Sequence, residues 1–76
     1  MTKLKVKLLS TVALNEDLPG HKLKRGEVGT VVERLAPDVF EVEFCDEDGQ
    51  TYAELPLRRD QLIPLHIKGE SWRIVA

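Results

Sequence analysis

Few residues in this chain have both the type and the neighbours to do covalent chemistry. His21 and His66 are the only histidines. A metal site or an acid–base pair would need them joined by further ligands at a motif spacing. His21 instead stands in a polar stretch and His66 follows a short apolar run, so they read as two solvated imidazoles. Cys45 is the single cysteine and is followed by Asp46, Glu47 and Asp48. Neighbouring carboxylates disfavour a thiolate, so an inert cysteine is expected. With no second cysteine there is no internal disulfide, which fits a reducing compartment. The acidic run ends on Gly49 and lacks the spaced oxygens of a calcium loop; it is expected to be a hairpin tip. Gly26 and Gly29 are spaced as in a phosphate cradle, but no helix pattern follows to offer its N-terminus. A turn and a bulge account for both glycines. No catalytic residue, metal or cofactor is therefore assigned, and the chain is expected not to be an enzyme.

Charge layout is the more useful signal. Positive charge gathers at Lys22, Lys24 and Arg25 and again at Arg58 and Arg59, whereas negative charge gathers at Glu41, Glu43 and residues 46–48. A segregated surface steers and orients a charged partner. An ordinary solvated surface can carry the same charges, so the layout alone leaves both readings open. These five cations, with Trp72 as an apolar anchor, are the candidate partner-binding residues.

The scaffold that must position them is small. A chain of 76 residues makes one domain and buries roughly 60% of the surface it exposes when unfolded. Hydrophobic residues are 42% and charged residues 32%, a globular balance. The net charge of −2 argues mildly against a general nucleic-acid binder. The lysine-interrupted start MTKLKVKLLS is not a signal peptide, and no apolar run approaches the roughly 20 residues needed to span a bilayer. A cytoplasmic protein is expected.

Periodicity points to strands throughout. Leu4, Val6 and Leu8 alternate with lysines, and a bend at Leu8–Leu9 separates them from Val12 and Leu14. Residues 15–25 read as a long loop around Pro19–Gly20, with Leu18 and Leu23 capping one end of the fold. In GEVGTVVERL, a bulge near Gly29 would let Val28 and Val31 both point inward. Phe40, Val42 and Phe44 share one face of the clearest strand and Glu41 and Glu43 the other. Gly49 is free to take positive φ in the hairpin. Ala53 and Leu55 face inward, Pro56 ends that strand or sits on its edge, residues 58–61 make one helical turn, and Leu62–Leu65 is a last short strand. The expected core is Val12, Leu14, Val28, Val31, Phe40, Val42, Phe44, Ala53, Leu55 and Leu62. The fold class is all-β: a small SH3-like barrel of about five strands over residues 11–65, with a helical turn before the last strand and an apolar tail over 66–76.

The order of loop, GEVGTVV, VFEVEF, acidic turn, strand, helical turn and LIPL resembles the barrels of the SH3-like subunit of photosystem I, the variable chain of ferredoxin-thioredoxin reductase and the nitrile hydratase beta subunit. That likeness bears on fold only. A closer resemblance, carried by DLPGHKLKRGEVGTVVERL, FEVEFCDEDGQTYAELPL and DQLIPL, is to a small prokaryotic family of unknown function, frequent in cyanobacteria. Its genes often stand beside another small gene, which implies a paired or antitoxin-like role.

The function expected is a protein-interaction module, either a subunit of a small complex or the neutralising partner of an adjacent gene product. The alternative is a KOW-like nucleic-acid-binding barrel using the basic edge. Trp72, Ile74 and Val75 would be a liability if exposed. They are expected to pair with the N-terminal strand, on the same barrel or across a homodimer, with Trp72 mostly buried.

Overall fold

The computed structural model describes residues 6–68 and 71–74, with side chains from 6 to 65. Six strands form one antiparallel sheet: β1 (Thr11–Leu14), β2 (Val28–Ala36), β3 (Val39–Cys45), β4 (Thr51–Arg58), β5 (Leu62–Lys68) and β6 (Ser71–Ile74), in the order β4-β3-β2-β1-β5-β6. Two 3-10 turns, Pro19–His21 and Arg59–Gln61, are the only helical elements among the described residues. β1 lies between β2 and β5, so the chain's first strand joins the meander β2–β3–β4 to the strand that follows the second 3-10 turn. This is the expected all-β, SH3-like arrangement, with the helical turn where the sequence puts it.

One face of the sheet wraps a single core. Val12 and Leu14 of β1, Val31 of β2, Phe40, Val42 and Phe44 of β3, Leu55 and Leu57 of β4, and Leu62 of β5 form one buried cluster, joined by Leu23 from the long loop. Five adjacent strands can share one compact cluster only if the sheet is curled. The alternation in β3 is strict, with Phe40, Val42 and Phe44 buried and Glu41 and Glu43 half-buried on the outer face.

Two local expectations are corrected. Val28 is 48% exposed rather than buried. Alternation holds through the start of β2, so Gly29 and Val31 face inward and Val28 and Thr30 outward; the register shift falls one step later, between Val31 and Glu33. Of the two readings of Pro56, the edge position holds: β4 is an edge strand, where the missing proline N–H is tolerated, and it runs on to Arg58 and buries Leu57. Ala53 packs against the core but is only partly buried.

The two ends of the chain also differ from expectation. Residues 6–10 are not a strand: Ser10 N–H and Oγ both bond back to the Lys7 carbonyl, and Leu9 takes φ 63°. Val6 packs against the core, but Leu8 is 60% exposed. β5 continues to Lys68 and pairs antiparallel with β6, whose residues 71–74 lie opposite 65–68, placing Trp72 opposite Ile67. The tail's described partner is therefore β5. The expected burial of the Trp72 side chain, and the Leu4 end of the N-terminal segment, lie outside the described residues.

Gly49 takes φ 80° at the β3–β4 hairpin, with open space where a Cβ would stand. Conformation, not crowding, is what selects glycine there. Gly49→Val is expected to cost about 1–2 kcal/mol through the left-handed backbone alone, read as a lowered urea midpoint with an unchanged m-value.

Candidate functional site

The long loop 15–27 is tied down at both ends. At its base, Asn15 N–H donates to the Gln61 carbonyl at 2.8 Å, and Gln61 Nε2 reaches Glu16 Oε2 at 3.4 Å. Gln61 is itself buried and accepts from the Arg58 N–H at 2.8 Å, so one amide side chain locks the second 3-10 turn to the loop. Further out, Leu18 and Leu23 bridge, Arg25 N–H donates to Asp17 Oδ1 at 2.8 Å, and Lys24 N–H donates to Glu27 Oε2 at 2.5 Å. The other Glu27 oxygen accepts from the Tyr52 hydroxyl at 2.9 Å. Partial burial, then that hydrogen bond and the Glu27 charge, push the Tyr52 phenol above its usual range. Lys24 and Arg25 make these bonds through their main-chain N–H groups, and Lys22, Lys24 and Arg25 stand exposed at the rim.

Arg58 and Arg59 occupy a different setting, where β4 meets the second 3-10 turn. Arg59 N–H donates to the Asp38 carbonyl at 2.8 Å, which draws this junction against the β2–β3 turn. Arg58 Nε pairs with Asp60 Oδ1 at 3.0 Å, both side chains largely exposed. The result is a cleft of about 540 Å3 lined by Asp38, Val39, Arg58, Arg59 and Asp60. A second hollow of about 280 Å3 shares Asp38 and Arg59 with it and adds Val6, Arg34, Pro37 and Phe40. Of the six candidate residues, then, Arg58 and Arg59 line a concave surface; Lys22, Lys24 and Arg25 line neither hollow; and the Trp72 side chain is outside the described residues. Arg34 was missed because nothing in its sequence neighbourhood links it to residues 58–59.

The outer face of β2–β3–β4 carries the opposite charge. Glu33 lies directly across from Glu41, and Glu43 from Glu54. Like charges in register repel, and no basic residue stands opposite these four in the ladders. Glu41 is held above the ordinary 4.5 by partial burial on the sheet, by a hydrogen bond and charge from Glu54, and by the charge of Glu33. The folded state thus binds this proton more tightly than the unfolded chain does. The repulsion is fully present above the folded pKa and is relieved as pH falls through it towards 4.5. Thermal melts should therefore show a rising midpoint on mild acidification from neutrality. Glu41→Gln should raise the neutral-pH midpoint and flatten that rise.

The remaining chemical candidates stay apart. Cys45 is exposed, with its sulfur 3.7 Å from Thr51 Oγ1, and His21 is exposed in the first 3-10 turn. Among the described residues, no three histidine, cysteine or carboxylate side chains gather as metal ligands, and no helix is long and apolar enough to cross a membrane.

No curated protein matches the chain. No solved structure matches it either, so the likeness to the photosystem, reductase and nitrile hydratase barrels gains no support. A family model does match over residues 8–64, covering β1 through the start of β5 and both 3-10 turns. The chain belongs to that family, DUF4926, a domain of unknown function.

Proposed function

We propose that this chain is a non-enzymatic protein-interaction module of the cytoplasm, a subunit of a small complex or the neutralising partner of an adjacent gene product. One observation carries the reading. The barrel has an arginine-lined cleft between its β2–β3 turn and its second 3-10 turn, while its outer sheet face is a field of glutamates. Opposite charges on separate surfaces orient a protein partner and exclude mis-oriented ones. A polyanion meeting the same barrel would be drawn to the basic loop and repelled by Glu33, Glu41, Glu43 and Glu54, which disfavours the KOW-like alternative.

The test pairs two measurements. Tagged chain recovered from its native cells should carry a protein in fixed stoichiometry, with the adjacent gene product the first to examine. Binding to mixed RNA and DNA should be weak at physiological salt. Tight nucleic-acid binding with a steep salt slope, and no protein in fixed ratio, would replace this reading with the KOW-like one.

A further inference from the structure

One end of the barrel brings three features together. The first is the cleft, where Arg58 and Arg59 stand over Val39 and, in the adjoining hollow, Arg34 stands beside Val6 and Phe40. The second is exposed aliphatic surface on the chain neighbours of those residues. Leu8 is 60% and Leu9 78% exposed two and three positions after Val6, and Leu35 is 46% exposed next to Arg34. Single surface leucines need no explanation, but these three stand on the two chain segments, 6–9 and 34–35, that supply Val6 and Arg34 to the second hollow, and exposed aliphatic groups gathered in this way mark an interaction surface. The third is backbone strain. Leu9 sits at φ 63°, a left-handed conformation that costs an ordinary side chain roughly 1–2 kcal/mol. It is fixed there by its N–H on the Val31 carbonyl at 2.6 Å and by the return of Val31 N–H to the Ser10 carbonyl. A bulky residue held strained and in water points from structure to use.

Charge selects the occupant. Arg34, Arg58 and Arg59 line this end against Asp38 and Asp60, and Lys7 follows Val6 in the chain, an excess of cations on a protein whose net charge is −2. The Arg58–Asp60 pair is exposed. Such pairs contribute little to stability, so Arg58 can exchange Asp60 for an incoming carboxylate at small cost. Guanidinium groups hold carboxylates in a two-point geometry that ammonium groups lack.

We propose that this end of the barrel docks a short acidic segment of another protein, with aliphatic side chains seated beside Leu8, Leu9 and Phe40 and carboxylates on Arg34 and Arg58. The proposal rests on the reading of the chain as an interaction module and names the surface and the partner's chemistry.

A capped peptide with two leucines between glutamates serves as probe, with a matched peptide carrying lysines in place of the glutamates. Both are titrated into 15N-labelled full chain. The glutamate peptide should shift amides of residues 34–40 and 58–61, and the lysine peptide should not. Arg34→Glu combined with Arg58→Glu should weaken binding by about tenfold or more, with dispersed spectra showing the variant folded. Leu8→Ser, at an exposed position that leaves both arginines in place, should weaken it too. Shifts confined to residues 22–25 would overturn this site and leave an interaction module with a different surface. An equal response to both peptides, or no shift with either, would overturn the proposed chemistry. The interaction reading itself stands or falls on the native-partner recovery described above.

Discussion

Phe44→Ala is expected to cost about 3–5 kcal/mol, enough to leave a domain of this size largely unfolded at room temperature. Phe44 is 1% exposed and is the largest of the fully buried side chains. It projects from β3, which has β2 on one side and β4 on the other, and it pairs in register with Ala53. Its ring also lies 6.3 Å from that of Tyr52 at a 45° tilt, covering part of that exposed residue. A sheet has little freedom to collapse into the void, because β2 and β4 are pinned to β3 by their ladders. The cost should therefore fall in the upper part of the range. The expected observation is a loss of most signal dispersion in the amide spectrum and no cooperative melt. A cooperative melt within a few degrees of the parent would mean that the strand phase assigned to β3 is wrong.

Gly29→Val carries the second largest expected effect. A Cβ at position 29 would stand 2.8 Å from Val42 Cγ1, 2.9 Å from the Glu43 carbonyl oxygen and 2.9 Å from Phe44 Cε2. One of these atoms is main chain and the other two belong to the tightest part of the core, so none can withdraw cheaply. Overpacking of this kind costs about 1–3 kcal/mol, occasionally more, and valine adds two further carbons beyond the Cβ. Gly29→Ala isolates the Cβ alone and should give a smaller loss. Both are read from urea unfolding, with the order parent, alanine, valine. Equal midpoints for all three would show that β2 does not approach β3 this closely.

The position of Gly29 also shows what the chain's own pattern could and could not convey. Hydrophobic alternation made β3 readable, because Phe40, Val42 and Phe44 advertise the inner face and Glu41 and Glu43 the outer. An inward glycine sends no such signal. Its absent side chain is what makes room for Val42 and Phe44, so the hydrophobic pattern points to the neighbouring Val28 in its place. Pro56 left two readings open, strand end or edge strand, because edge position is a property of the whole sheet; β4 proves to be the edge. The Leu8–Leu9 turn has no glycine or asparagine to announce a left-handed residue. The cleft was legible only in part. Arg58 and Arg59 drew notice as adjacent cations, but Arg34 and Phe40 join them through the β2–β3 and β3–β4 ladders and the Arg59–Asp38 hydrogen bond, pairings that the local sequence does not announce. Lys22, Lys24 and Arg25 seemed equivalent to them by charge, and the fold separates the two sets by placing one on a loop rim and the other in a hollow.

The central claim is that this barrel docks a protein through the arginine-lined end. The most direct measurement is amide hydrogen exchange on the full chain, free and bound to the partner recovered from its native cells. The account predicts slowed exchange on binding at residues 34–40 and 58–61, with residues 46–50 at the acidic hairpin tip unchanged. Protection centred on the basic loop 22–25 or on the glutamate face of β2–β4, with residues 34–40 and 58–61 exchanging as in the free chain, would contradict it.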